Sequence, residues 1–90
     1  MNLKEILKEI GIKQEAKLME DDCYVVQLNN SNDYGRIYSI LENSDIIEID
    51  DDSSVLTYES SSIQYNGDGF IITLISDFDA DTYKLTIKEV

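Results

Sequence analysis

The side chains with the most chemical potential in this chain are carboxylates, and two groups of them have a spacing suited to a ligand or a partner. In the first group, Asp77, Asp79 and Asp81 alternate as oxygen ligands do at the start of a calcium loop. The match fails further on, because Thr82 stands where the sharp turn requires Gly, and Lys88 stands where a bidentate Glu should close the site. We therefore expect a solvated polar hairpin loop here, and calcium binding ranks third among the functional interpretations.

The second group contains Glu48, Asp50 and Asp52, which stand two residues apart. In an extended strand they would share one face, about 6.6 Å apart, opposite the apolar side chains between them. DNA presents one phosphate per roughly 3.4 Å of axis on each strand, so a row of carboxylates of comparable density can occupy a phosphate-binding surface. The two groups, with the intervening Asp51, define the candidate partner-binding residues: Glu48, Asp50, Asp51, Asp52, Asp77, Asp79 and Asp81.

Groups that could carry catalysis are scarce. The chain contains no His, the usual general base near neutral pH. Cys23 begins an apolar run, which favours a small buried hydrophobic side chain over a reactive thiol. Gly67 and Gly69 do not form a phosphate-binding loop, since no Lys follows them and their surroundings are typical of a hairpin. We expect a protein that is not an enzyme and that has no cofactor and no metal.

Charge is distributed very unevenly along the chain. The formal net charge is -12, and residues 37–83 contain eleven carboxylates and no Lys, Arg or His. Across residues 18–83, Arg36 is the single cation against fifteen carboxylates, which gives -14. This excess argues against direct binding to nucleic acid or to an anionic membrane surface. The expected partner is a basic protein surface, and the sequence leaves the oligomeric state open.

The chain's length and composition predict a single small domain over residues 1–90, because so short a chain buries only about 60 to 65 percent of its unfolded surface. Cys23 is the only cysteine, so no internal disulfide is expected. The first residues lack the apolar run of a secretory signal, and no stretch approaches the roughly 20 apolar residues of a membrane helix. These features predict a cytoplasmic protein.

The sequence predicts a short amphipathic helix at the N-terminus. Leu3, Ile6, Leu7 and Ile10 recur at helical spacing with charged residues on the opposite face. Asn2 can cap its start, and Gly11 stands where a left-handed cap would end it.

After Gly11 the apolar period changes to two, which predicts antiparallel strands joined by tight turns. A hairpin is expected from residues 15–19 and 23–28, and turn-forming residues occupy 29–33. Residues 36–41 are ambiguous between helix and strand, and we favour a strand. Further strands are predicted at 45–50, 55–59, 62–65, 70–75 and 82–88, with turns at 42–44, 51–54 and 66–69. The predicted fold class is α+β, with the N-terminal helix followed by a mainly antiparallel sheet, a meander of hairpins.

The overall plan resembles the small phage-encoded anti-CRISPR inhibitors of type II systems. The resemblance lies in the opening Met-Asn-Leu-Lys-Glu-Ile-Leu-Lys-Glu-Ile helix, the β-rich remainder with its Asn-Asn turn and the acidic excess. It implies a protein that blocks the DNA-binding cleft of a nuclease. The leading interpretation is thus an acidic inhibitor that imitates phosphates, and the alternative is a protein interaction domain without mimicry, such as a toxin immunity protein.

Overall fold

A computed structural model of the chain describes residues 2–19, 22–43 and 47–90. These residues form two helices and six strands, and the α+β class with a mainly antiparallel sheet is confirmed. In the described ranges, neither helix is long and apolar enough to cross a membrane.

The first helix, α1 (Leu3–Ile10), has the caps that its sequence predicts. The Asn2 side chain accepts a hydrogen bond from the Glu5 N–H at 2.9 Å. Gly11 adopts φ 77, and its N–H donates to the Lys8 carbonyl while the Ile12 N–H donates to the Leu7 carbonyl. This pair of bonds satisfies two carbonyl groups that the helix end would otherwise leave unpaired. The helix then buries Ile6 and Ile10 against the sheet.

The second helix, α2 (Ser31–Asn43), shows that the strand favoured for residues 36–41 is wrong. The Asn30 side chain accepts a hydrogen bond from the Asp33 N–H at 3.0 Å, which caps the helix start. Ile37 and Leu41, four residues apart, are buried on one helical face. The Asn and Asp residues that predicted a turn at 29–33 therefore begin a helix, because the same side-chain oxygens bind free N–H groups in both structures.

The six strands form one sheet in the order β1-β2-β6-β5-β4-β3, and every neighbouring pair is antiparallel. The strands are β1 (Lys17–Leu18), β2 (Cys23–Leu28), β3 (Ile49–Leu56), β4 (Ser60–Gly67), β5 (Phe70–Asp77) and β6 (Thr82–Glu89). Strands β3 to β6 form the predicted meander, and β2 pairs along its full length with β6. The segment that contains α2 connects β2 to β3. Because β3 is the last strand in the order, it is an edge strand.

Two local predictions around β3 need correction. The predicted turn at residues 51–54 lies inside β3, where Asp51 pairs with Asn66 and Ser54 pairs with Ile63. The hairpin turn instead falls at residues 57–59, so the strand predicted at 55–59 is wrong beyond Leu56. Pairing with β4 outweighs the local turn preference of Asp and Ser. For the strand predicted at 45–50, strand structure begins at Ile49, while residues 44–46 lie outside the described residues.

Both helices cover the same side of the sheet, here called the helix face, and the other side is called the open face. Along β5 the side chains alternate, with Ile72 and Leu74 buried under the helices and Ile71 and Ile75 half-buried on the open face. The core under the helices contains Ile6, Ile10, Val26, Leu28, Ile37, Leu41, Ile47, Tyr65, Phe70, Ile72, Leu74, Leu85 and Ile87. The open face has no second layer among the residues described.

The predicted hairpin turn at residues 66–69 is confirmed between β4 and β5. Gly67 pairs with Phe70 across the turn, and Gly69 adopts φ 85, a conformation that favours glycine. The Phe70 ring lies directly over Gly67, in the space that a Cβ atom would occupy.

Candidate functional site

Strand β3 carries most of the second group of candidate residues, and it is the most exposed strand of the meander. Ile49 is half-buried and every later residue of β3 is exposed. Each of the other meander strands contains at least one buried residue. The strand therefore presents both faces and one edge to solvent.

A bulge divides the acidic residues of β3 between the two faces. Ile49 pairs with Gly67 and Asp51 pairs with Asn66, so Asp50 is an extra residue without an opposite partner. The insertion shifts the alternation of all residues that follow. Asp51 consequently lies on the open face, and Asp52, opposite Tyr65, lies on the helix face. The predicted row of Glu48, Asp50 and Asp52 on one face is wrong, and Glu48 precedes the strand.

Several of these carboxylates have defined neighbours. Asp51 Oδ1 accepts a hydrogen bond from Asn66 Nδ2 at 2.6 Å. Tyr65 donates its hydroxyl hydrogen to Glu42 Oε1 at 2.9 Å. Burial of the Tyr65 hydroxyl raises its pKa well above 10.0, and the Glu42 carboxylate, followed by more distant groups that include Asp52, raises it further.

The acidic residues around the start of β3 form a surface that we call the acidic rim. Glu42 belongs to this surface because it accepts a hydrogen bond from Tyr65, which pairs with Asp52. Asp68 belongs to it because it follows Gly67, which pairs with Ile49. The rim consists of Glu42, Glu48, Asp50, Asp51, Asp52 and Asp68. Among the described residues, no Lys or Arg nitrogen lies within 4.0 Å of a rim carboxylate. The rim is therefore a concentration of negative charge without a nearby countercharge.

The first predicted group, Asp77, Asp79 and Asp81, lies at the other end of the sheet. Asp77 stands six residues along β5 from Ile71, which is in the same cross-strand row as Asp51, so about 20 Å of strand separates the two groups. Asp77 Oδ1 accepts hydrogen bonds from the N–H groups of Asp79 and Ala80, both at 3.1 Å. The structure therefore does not bring Asp77, Asp79 and Asp81 together with the rim.

The predicted polar hairpin loop between β5 and β6 is confirmed, and its local structure accounts for the aspartates in it. The Asp77 carboxylate closes the turn, and Asp81 adopts φ 52, which Asp tolerates better than most residues. Across residues 2–19, 22–43 and 47–90, no three His, Cys, Asp or Glu side chains are grouped as metal ligands.

Sequence reasoning missed an exposed apolar surface at the other end of β3. Val55 is 61% exposed, Leu56 is 76% exposed and Tyr58 is fully exposed. Leu56, Thr57 and Tyr58 line a shallow depression of about 280 Å³. The available signal was the apolar pair of residues 55 and 56 in a strand without a covering element, but the sequence alone does not identify the edge strand.

Positive side chains lie towards the opposite edge of the sheet. The register places Lys17 of β1 and both Lys84 and Lys88 of β6 on the open face, in rows with residues of β2 and β5. The sheet therefore has a cationic side and an acidic edge. A basic partner would be attracted to the β3 edge.

The structure also defines the surroundings of Cys23 and Arg36. Cys23 is half-buried at the start of β2 opposite Lys88, so the predicted small buried side chain is only partly covered. Arg36 donates hydrogen bonds to the carbonyl oxygens of Ile10 at 2.5 Å and Gly11 at 3.4 Å. A guanidinium group at the C-terminus of α1 stabilises it, because that end of a helix carries partial negative charge.

Comparison with protein-family models, with characterised proteins and with solved structures found no match to this chain.

Proposed function

We propose that this protein is a non-enzymatic inhibitor that uses its acidic rim to occupy the basic nucleic-acid-binding cleft of a nuclease or another DNA-binding protein. The observation that carries the proposal is the rim itself, in which Asp50 is an exposed bulge residue and Asp51 and Asp52 lie on opposite faces of one exposed strand. The target's cleft binds phosphates through Lys and Arg side chains, and the rim offers such a cleft carboxylates without bases.

The bulge changes how imitation of phosphates would work. A flat row would match one DNA strand, whereas here the bulge at Asp50 interrupts the row and Asp51 and Asp52 lie on opposite faces of β3. The rim would therefore bind as a wedge, with cations of the cleft on both sides of the strand. Binding through several such ion pairs is fast and weakens steeply as salt concentration rises.

The resemblance to anti-CRISPR inhibitors makes RNA-guided nucleases of type II systems the first targets to test. These enzymes hold nucleic acid in a positively charged channel, which matches the charge of the rim. The proposal places the protein in the cytoplasm, where such targets act.

The exposed apolar surface favours a second candidate function, a small protein interaction domain without mimicry, such as an immunity protein for a toxin. Val55, Leu56 and Tyr58 are large side chains with little cover. An interface centred on them would be nearly indifferent to salt, because burial of apolar surface does not depend on screened charges. The salt dependence of complex formation therefore separates the two candidates.

The test compares two variants that each lose three negative charges. The rim variant is Glu48→Gln, Asp50→Asn and Asp52→Asn, which spares Asp51 because of its bond to Asn66. The control variant changes to Gln the glutamates at 5, 9 and 15, which are exposed or half-exposed and lie on α1 and in the segment before β1. The readout is release of a fluorescent DNA duplex from a purified type II nuclease, and from any DNA-binding protein captured at low salt from a host lysate.

We expect the wild type and the control variant to release the duplex equally well, and the rim variant to be weaker by roughly tenfold or more, since close interfacial charge pairs contribute strongly. Equal potency of the two variants would exclude the rim. If the target binds this protein and still retains its duplex at saturation, the inhibitor proposal is wrong.

A further inference from the structure

We propose that the outer edge of β3 binds an extended segment of the partner as an additional antiparallel strand. In this arrangement, basic residues of the segment face the acidic rim, and apolar residues face Val55 and Leu56. The positive charge of this segment rests on the proposed function. Strand addition specifies in addition how the segment binds, which charge alone does not.

The outer edge of β3 is free among the residues described. β3 is the last strand in the sheet order, and β4 is its neighbour on the inner side. No described backbone group outside β4 is hydrogen-bonded to β3. Such an edge presents a row of N–H and C=O groups that can pair with another chain.

The hydrogen-bond pattern identifies which backbone groups point outward. The Thr57 N–H donates to the Ser60 carbonyl at 2.8 Å and closes the hairpin. In an antiparallel ladder, hydrogen-bonded and non-hydrogen-bonded pairs alternate from that point. Ser53 and Val55 therefore bond to β4, and the residues between and beside them point their backbone groups to solvent. The outward residues are Asp52, Ser54 and Leu56.

The side chains of β3 protect only half of this edge. Natural edge strands avoid unwanted pairing by means of charges, prolines and bulges. Here the bulge and the charges end at Asp52, and residues 53–56 carry neither charge nor proline. The second half of β3 thus offers unpaired backbone groups beside exposed apolar side chains, which is what strand addition requires.

The charge of the molecule selects the occupant. A second copy would bring its own net charge of -12 and another acidic rim to the interface, so repulsion opposes pairing of two β3 strands. A basic segment gains attraction from the same carboxylates. In the antiparallel orientation, its first residues would lie opposite Leu56 and Val55 and its last residues opposite Asp52 to Asp50.

The direct experiment uses a blocked synthetic peptide, Val-Ile-Thr-Thr-Lys-Arg-Lys, as the probe and amide hydrogen exchange as the readout. We expect the amides of Asp52, Ser54 and Leu56 to exchange at least roughly tenfold more slowly with saturating peptide, since they would gain hydrogen bonds. The amides of Ser53 and Val55 already bond to β4 and should change less. A control peptide with Gln in place of each basic residue should bind more weakly.

A pair of variants tests the same edge in the full complex. Ser54→Pro removes one outward N–H, and edge strands tolerate proline where the N–H faces solvent. Ser54→Ala keeps that N–H and is the matched control. We expect Ser54→Pro to weaken binding of the peptide and of the DNA-binding target by roughly tenfold, and Ser54→Ala to bind as the wild type does. If Ser54→Pro fails to fold, the exchange experiment on the wild type decides.

The outcomes separate this inference from the proposed function. Slowed exchange on the helices or the open face instead of at the outward amides would overturn strand addition. Full binding of the target by Ser54→Pro, together with loss of binding by the rim variant, would also overturn it and leave the inhibitor proposal intact. Sedimentation that shows a dimer, lost in Ser54→Pro, would mean that a second copy occupies the edge and that the proposed basic segment is wrong.

Discussion

At the scale of single residues, position 67 requires glycine because the Phe70 ring occupies the space that a Cβ atom would need. We predict that Gly67→Ala lowers the free energy of unfolding by about 1 to 3 kcal/mol, because the buried ring must move. Gly35→Ala is the control, since no atom lies within 4 Å of its Cβ position in α2, and it should stabilise by about 0.5 to 1 kcal/mol. Urea unfolding measures both, and equal effects would contradict the packing argument.

Tyr65 gives the protein a predicted sensitivity to alkaline pH. Because folding raises its pKa above 10.0, the stabilisation linked to its proton is complete below about pH 10 and is lost as the pH rises towards the folded-state pKa. We expect Tyr65→Phe to lose stability less steeply than the wild type between about pH 9 and 11, as followed by urea unfolding. Tyr58→Phe, at a fully exposed position, is the control and should retain the wild-type slope.

At the scale of elements, the cap at Asn30 helps decide that residues 31–43 form a helix. Its side chain binds the Asp33 N–H, one of the groups that a helix start leaves unpaired. We predict that Asn30→Ala costs about 1 kcal/mol of stability and increases amide exchange in the first turn of α2. Asn32 is an exposed residue in the first turn of α2, and Asn32→Ala should be neutral or stabilising. Equal destabilisation by both changes would show that the cap is unimportant.

At the scale of the whole molecule, the net negative charge opposes folding. The net charge of -12 on 90 residues creates repulsion that salt screens, with a Debye length of about 30 Å at 0.01 M and 8 Å at 0.15 M. We predict that the melting temperature rises with NaCl over this range and that it rises less in the rim variant. Sucrose, which carries no charge, is the control for general solute effects. A melting temperature independent of NaCl would show that repulsion does not limit stability.

The sequence determined the parts of this protein whose structure depends on near neighbours. The caps and spacing of α1 predicted its bounds, the glycines predicted the turn at 66–69, and strict alternation predicted β6. The uneven distribution of charge also followed from the sequence alone, and the proposal of a basic partner rests on it. Each of these features depends on residues a few positions apart, so local physical chemistry was sufficient.

Only the tertiary structure decided the rest. Residues 36–41 became helical because Ile37 and Leu41 pack on the sheet, and residues 51–54 became part of a strand because β4 lies beside them. The bulge at Asp50 then divided a predicted acidic row between two faces, and the strand order left β3 at an edge with its apolar end exposed. Register and strand order depend on pairings between distant residues, and a change of one position moves every later side chain to the opposite face.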